Sequence, residues 1–443
     1  FASYYFLYMI AFFAVFYLLV YSLIEKRSVK STAGKVAGLG GMGILGVLMG
    51  GIALIPIADT FLESARSGAL NGSVTSGILS PYKSRTIGTI FARFLSNQIL
   101  GIDKDYTGSL NYYEGMVLAV SILTILAVSY FIIKKSTRVR TIILTVLVIF
   151  LSVMPVTSRI LIFTKSAHRW CFMICFAEAL IIGLFLQDVL RERNKKTVLG
   201  GGILAVVLYA ALLAYIYSFK NIKINNKIVA EVSVFFAVYL ILVLVVTNIK
   251  KLYKIGSTVI LAVLVCELFI LNYPSLWHRE SPTRNQLATE YYNDGTMDAV
   301  NYLKSQDDSL YRIEKSYRST AENDGMAQGY NGLSVYMSTN PSSLVSYHKM
   351  YGPETLSVNF VDFNKDDYIR NSLLGTKYLF GSAGYNAPQK VYTPVGEAGG
   401  KTVYENNYAL PFGYLYDKEW SAGGLKKLSG LDKTLTSLSG FYY

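Results

Sequence analysis

Trp170-Cys-Phe-Met-Ile-Cys-Phe-Ala-Glu-Ala-Leu-Ile-Ile-Gly-Leu-Phe-Leu-Gln187 is an apolar run with a single charge, Glu178. A helix that crosses a bilayer needs roughly 20 mainly apolar residues, and this stretch meets that need. Working outward from it, seven more segments do the same: 4–24, 36–58, 114–133, 141–158, 197–217, 232–249 and 255–272. The whole chain is 52% apolar and only 16% charged, with a mean hydropathy of +0.36. A purely soluble enzyme is excluded on those figures. The reading is a polytopic α-helical membrane protein with about eight spans over residues 1–272, followed by a domain of different character.

The net charge of +13 first suggests a nucleic-acid binder. Its distribution removes that reading. Residues 1–272 hold 26 basic and 11 acidic residues (26 − 11 = +15), and residues 273–443 hold 16 and 18 (16 − 18 = −2). The positive charge sits in short clusters between apolar runs: Lys26, Arg27, Lys30 and Lys35; Lys134, Lys135, Arg138 and Arg140; Arg191, Arg193, Lys195 and Lys196; Lys250, Lys251 and Lys254. Basic loops stay on the cytoplasmic side. The alternation then puts 59–113, 159–169, 218–231 and everything after Asn272 outside, with Phe1. A chain that opens on Phe1 and runs straight into an apolar segment reads as part of a longer protein, with a further helix before it.

Cys171, Cys175 and Cys266 all lie in apolar runs, so no disulfide framework exists. Cys171 and Cys175 stand one helical turn apart, but no His or carboxylate joins them at metal-ligand spacing, and helix packing is the expected role. In the second span, Gly34/Gly38 and Gly46/Gly50 have the spacing that lets helix backbones approach. The long outer loop 59–113 carries Ile87, Ile90, Phe91, Phe94 and Leu95 at helical spacing beside Lys83, Arg85 and Arg93. That pattern predicts a helix over 82–97, lying in the outer headgroup region or packed on the bundle.

Beyond Asn272, Tyr, Asn, Ser and Gly become frequent. Ser309–Glu314 and Thr376–Phe380 read as strands, Asp298–Lys304 as a helix end, and 383–402 as a loop or hairpin. Residues 273–443 are therefore expected to form an extracytoplasmic α/β domain.

No phosphate-binding Gly-rich loop, zinc array or Gly-x-Ser-x-Gly elbow is present. Nucleotide donors are scarce outside a cell, so a group transfer on that face favours a donor carried by lipid. Such a site needs cations at headgroup depth, a carboxylate to accept a proton, and an apolar groove. The candidate cations are Arg159 at the end of the fourth span, Lys165, His168 and Arg169 before the fifth, and Arg66, Arg85 and Arg93 in the long loop. Arginine suits phosphate because its planar fork donates two hydrogen bonds at once. Terminal Arg and Trp also serve simply as interface anchors. Asp59 and Glu63 would share a helix face if the second span continues past Pro56, as a proton acceptor or in a salt bridge with Arg66. Asp103-x-Asp105 could hold a divalent cation such as Mg or Mn through oxygen, or be solvated turn residues. His348 is expected at the surface. Glu178 and Glu267 are carboxylates deep in spans whose partners the sequence does not name.

Several strings resemble the bacterial YfhO-type membrane protein family in collinear order over about 300 residues. They are Asn111-Tyr-Tyr-Glu-Gly115, His168-Arg-Trp-Cys-Phe172, Tyr311-Arg-Ile-Glu314, Gly329-Tyr-Asn-Gly-Leu-Ser-Val-Tyr336, Leu373-Leu-Gly-Thr-Lys-Tyr378 and Glu405-Asn-Asn-Tyr-Ala-Leu-Pro-Phe-Gly-Tyr414. The resemblance implies a glycosyltransferase of the transmembrane C class (GT-C) in a bacterial cell membrane. Such an enzyme moves a sugar from a polyprenyl-phosphate carrier to an envelope polymer such as lipoteichoic acid, on the outer face. It carries Arg169 over as a donor-phosphate residue. His168 stands where the family more often has Asn, which leaves its own contact with the donor open. The catalytic carboxylate of that class lies in the first outer loop, which the topology puts upstream of Phe1, and the family's closing stretch would follow Tyr443. Two rivals remain: a transporter or flippase of the lipid-linked sugar, which calls for polar residues deep in several spans, and an envelope scaffold whose outer domain only binds other proteins.

Overall fold

A computed structural model describes residues 4–24, 27–65, 67, 80–110, 115–162, 167–249, 251, 253–277, 281–287, 294–319, 323–337, 339–351, 359–361, 366–425 and 427–442. The chain divides into two compact units, Phe1–Gly50 with Gly72–Glu280, and Gly51–Asn71 with Ser281–Tyr443.

The first unit is a helical bundle. Its helices begin with α1 (Tyr4–Ile24) and α2 (Val29–Met49), and α2 is capped by the Ser28 side chain. A separate helix, α3 (Gly51–Glu63), follows in sequence and belongs to the second unit. The expected span 36–58 is thus corrected to a span that starts at Val29 and stops at Gly50. Each glycine costs a helix about 1 kcal/mol relative to alanine, and the Gly-rich run at 38–51 is where this one ends.

Next come α4 (Ser84–Leu95), α5 (Leu123–Ile133), α6 (Arg138–Val153) and α7 (Val156–Ile162). Two more expectations are corrected here. The third span, 114–133, is helical only from Leu123, because residues 115–122 run irregularly. The fourth, 141–158, is cut in two at Pro155, since the residue before a proline is pushed out of the helical region and Met154 is extended at φ −94, ψ 140. The remaining helices, α8 (Phe172–Glu192, entered through a 3-10 turn Arg169–Cys171), α9 (Lys195–Tyr217), α10 (Asn226–Asn248) and α11 (Tyr253–Trp277), follow the sequence reading closely.

Among the described residues five helices are long and apolar enough to cross a membrane: Val29–Met49, Arg169–Glu192, Lys195–Tyr217, Asn226–Asn248 and Ile255–Trp277. Phe6–Leu19 and Leu123–Ile133 are shorter apolar helices. The chain is a polytopic helical membrane protein.

The bundle core gathers Leu126, Tyr130, Phe185, Val232 and Tyr239. Gly201 lets α9 close on α5, for a Cβ there would stand 2.9 Å from the Tyr130 Cα. The helix expected over 82–97 is α4, and it packs in the bundle rather than on a surface: Ile90, Ala92, Arg93 and Leu95 are buried, and Phe91 meets Tyr215 edge to face.

In the second unit the elements after α3 include α12 (Thr296–Gln306), β1 (Arg312–Lys315), α13 (Asp324–Gln328), β2 (Val335–Tyr336), α14 (Ser342–Tyr351), β3 (Phe360–Val361), α15 (Tyr368–Leu373), β4 (Thr376–Gly381), β5 (Tyr392–Ala398) and β6 (Lys401–Asn406). Four strands make one sheet in the order β1-β4-β6-β5, with β1 parallel to β4 and the rest antiparallel. The β5–β6 turn uses Gly399 and Gly400 at φ +56 and +69, which suits the mirror-image turns that join twisted strands. Val300 and Leu303 of α12 cover Ile313, Phe380 and Val403 of the sheet. Ala65 pairs through its N–H with the Asn340 carbonyl, tying the segment after α3 into this unit. His348, expected at the surface, is buried on α14.

Candidate functional site

The irregular stretch 115–122 lies inside the bundle, with Met116, Leu118, Ser121 and Ile122 buried. Backbone outside a helix is tolerated at that depth only when protein groups satisfy it. Here the two span carboxylates do so. Glu267 of α11 accepts hydrogen bonds from the Ile122 N–H (2.8 Å), the Ser121 hydroxyl (2.5 Å) and the Tyr239 hydroxyl (2.8 Å). Glu178 of α8 takes a backbone hydrogen bond from Val120. The Cys175 thiol donates to the Val117 carbonyl at 3.4 Å. At the start of α5 the Ile122 N–H is thus held by Glu267 of α11 and the Leu123 N–H by the Ser121 hydroxyl, which is where the helix begins.

Val117 forms one wall of a cavity of about 400 Å³. Phe6 and Ile10 of α1 and Cys171, Phe172 and Cys175 at the start of α8 supply the other walls, and among the described residues Arg169 is the one cation in the lining. The lining is otherwise apolar. Arg169 is exposed, on the 3-10 turn. The sequence carried a signal for this pocket: Cys171 and Cys175, two and six residues past Arg169, share a helix face with each other, and helix packing is only part of what they do.

Behind the turn lies a polar cluster. Ser158 of α7 accepts from the Trp170 indole N–H and from the Tyr82 hydroxyl, both at 3.1 Å, and donates to the Ala167 carbonyl at 2.8 Å. The ring of the buried His168 stands edge-on to Tyr82 at 5.1 Å. Burial pushes the Tyr82 phenol up from its ordinary value, against the Ser158 bond and the nearby Arg159 charge. Arg159 is itself buried. Arg159, His168 and Arg169 therefore do assemble around one turn, with Tyr82 and Ser158 as members that the sequence reading missed.

The loop cations part company. Arg93 is buried, 5.5 Å over the Tyr106 ring, and its charge reaches the Cys171 thiol of the pocket. Arg85 donates twice to the Thr107 carbonyl, at 2.8 and 3.3 Å, so it closes a loop. Arg66, Lys165 and Asn111–Glu114 lie outside the described residues. Asp59 and Glu63 are exposed on α3, which runs through Pro56 but is a helix separate from α2, so the second span does not itself carry them. Asp103 and Asp105 are exposed in a 3-10 turn. Among the described residues no group of three His, Cys, Asp or Glu side chains gathers to hold a metal ion, so the aspartate pair has no third ligand.

A family model described as bacterial membrane protein YfhO matches residues 1–440. No curated protein and no solved structure matches.

Proposed function

The chain belongs to the YfhO family of bacterial membrane proteins, and from that premise we propose that it is a GT-C type glycosyltransferase. It takes a sugar from a polyprenyl-phosphate carrier on the outer face of the membrane and passes it to an envelope polymer such as lipoteichoic acid. The observation that carries this reading is the apolar cavity with Arg169 in its wall. Its about 400 Å³ falls in the range of small-molecule sites. A prenyl segment would lie against Phe6, Ile10 and Phe172, and the phosphate would meet the Arg169 fork. Arg159 and His168 back the same turn and set its potential. Arg93, buried within reach of Cys171, adds positive charge on the inner side.

In the reaction the acceptor hydroxyl attacks the anomeric carbon, the bond to the carrier phosphate breaks, and the hydroxyl proton passes to a carboxylate. The resemblance puts that carboxylate in the first outer loop of the class, and no described side chain is assigned to the role. A flippase would need polar side chains free along a path through the spans. Glu178 and Glu267 instead hold backbone groups of residues 120–122.

The test reconstitutes the full-length protein with radiolabelled polyprenyl-phosphate sugar and lipid-anchored wall polymer. Label should move onto polymer with the wild type, and Arg169→Ala should lose at least about tenfold of that rate, the cost of about one charged hydrogen bond. Label that crosses the vesicle bilayer without reaching polymer would overturn the reading in favour of transport. Full transfer by a folded Arg169→Ala protein would remove Arg169 from the site.

A further inference from the structure

The outer-domain strings quoted above come from four distant parts of the sequence, and in the second unit all four meet around Arg312 and its neighbour Ile313. Its backbone N–H bonds the Gly375 carbonyl at 2.9 Å and its guanidinium donates to the Leu374 carbonyl, both in the third string. The guanidinium carbon lies 4.4 Å from the ring centroid of Phe412, in the fourth. The next residue, Ile313, bonds the carbonyl of Asn331, in the second, at 2.8 Å. Arg312 also opens onto a cavity of about 380 Å³ whose walls include Tyr330, Asn331, Ser334, Met326 and Phe412.

Three features make this a built site. First, its chemistry is mixed: amide, hydroxyl and guanidinium groups face an aromatic edge and the exposed Met326, and among the described residues no carboxylate lines it. Among the described residues Arg312 makes no ion pair, while burial works against its charge. A partly buried cation without a counter-ion is a standing invitation to an anion. Second, the wall from Asn323 to Met326 is pinned by charge hidden behind it. Lys315 pairs with Asp324 at 2.7 Å, both nearly inaccessible, and adds bonds to Ser319 (2.7 Å) and Gln328 (3.1 Å). Third, Asn323 locks onto the backbone of Tyr336, accepting from its N–H at 2.9 Å and donating to its carbonyl at 2.8 Å. Rigid walls of this kind reduce the ordering cost of binding.

We propose that this pocket binds a segment of a hydroxylated chain that carries phosphate. The phosphate sits on Arg312, the carbon face of a unit lies along Phe412 and Tyr330, and hydroxyls bond Asn331 and Ser334. The inference rests on the transfer reading and deepens it by giving the polymer acceptor a holding site on the second unit.

The test measures binding by calorimetry to the full-length protein in nanodiscs, with three probes: a synthetic glycerol-phosphate hexamer, a neutral maltohexaose and inorganic phosphate. The wild type should bind the hexamer more tightly than either of the other two. Phe412→Ala, at a ring already in part exposed, should weaken the hexamer about tenfold, the order of one stacked aromatic contact. Arg312→Gln should remove the preference for the hexamer over maltohexaose. The proposal is overturned if the hexamer binds no better than inorganic phosphate, or if both folded variants bind it as the wild type does. The sugar-transfer assay separates the two readings. Binding here without transfer by the wild type sinks the transferase and leaves the pocket. Transfer with an unchanged acceptor KM in Phe412→Ala sinks the pocket and leaves the transferase.

Discussion

Each unit hides carboxylates under its surface, and the two solve the problem differently. In the bundle, Glu267 and Glu178 have no cation beside them among the bonds described. They are met by backbone N–H groups and hydroxyls of a stretch that itself lacks helical partners. In the second unit, Asp324 is met by Lys315 and by the Ser319 N–H. The difference teaches what each environment lacks. Among apolar helices no water can replace a missing backbone partner, so an acceptor there completes the backbone. In the second unit the pair sits behind a turn, and its worth is to fix one geometry, since a buried ion pair adds little net stability over apolar packing.

The sharpest way to break that comparison is to remove one partner on each side. Lys315→Met should be the most damaging, because it leaves Asp324 buried and unpaired at a cost of about 3–5 kcal/mol. Limited proteolysis should then cut the chain near 316–324, and an intact fragment pattern would show that the pair is dispensable. Glu267→Leu comes next. It strands the Ile122 N–H, at about 1–3 kcal/mol, while the Ser121 and Tyr239 hydroxyls can rotate toward other acceptors, and hydrogen exchange should speed at Ile122–Thr124. Glu267→Gln keeps an acceptor in place and should cost about 1 kcal/mol in thermal unfolding. If Gln proves as harmful as Leu, the carboxylate charge matters and the capping account is wrong.

A smaller effect comes from pH. Burial raises the Asp307 carboxyl, but bonds from Lys377 (2.6 Å), the Ser309 N–H and the Tyr378 hydroxyl outweigh it and hold the group well below the usual carboxylate range. A depressed folded pKa means stability that is present above the unfolded value of 3.8 and lost as pH falls below it toward the folded pKa. Asp307→Asn should therefore lower the unfolding free energy at pH 7 by about 1 kcal/mol, given the solvent access of Lys377, and be read as a lower unfolding temperature. The gap to wild type should close as pH drops below about 4. The weakest expected change is at Lys134, which bridges Asp188 (2.6 Å) and Glu192 (2.8 Å) at a partly exposed helix end. Lys134→Ala should cost under about 1 kcal/mol and less at high salt.

Legibility followed the range of the forces involved. The helices from α8 to α11 could be read because a run of some 20 apolar residues states its own environment. The β1 and β4 strands and the β5–β6 hairpin showed through local patterns and Gly399-Gly400. The irregular stretch 115–122 did not, since its residues are as apolar as a span and the acceptor that breaks the helix at Ile122 lies 145 residues away on Glu267. For the same reason the sequence left α4 between the headgroup region and the bundle: its stripe of Ile and Phe is amphipathic, and partners such as Tyr215, Phe219 and Ile222 place it in the bundle. At the candidate site, Arg169, His168 and Arg159 were readable as cations near span ends. Tyr82, Ser158 and Val117, which give them a cluster and a pocket, come from other segments.

By itself the sequence determined that this chain lives in a membrane, because transfer of apolar helices out of water depends on composition and length alone. It also determined where cations collect. Which arginine faces a cavity, which lies buried against Tyr106, and which merely closes a loop on Thr107 was decided by the tertiary structure. A guanidinium's role depends on neighbours within about 4–6 Å, and these neighbours are brought together only when distant helices pack.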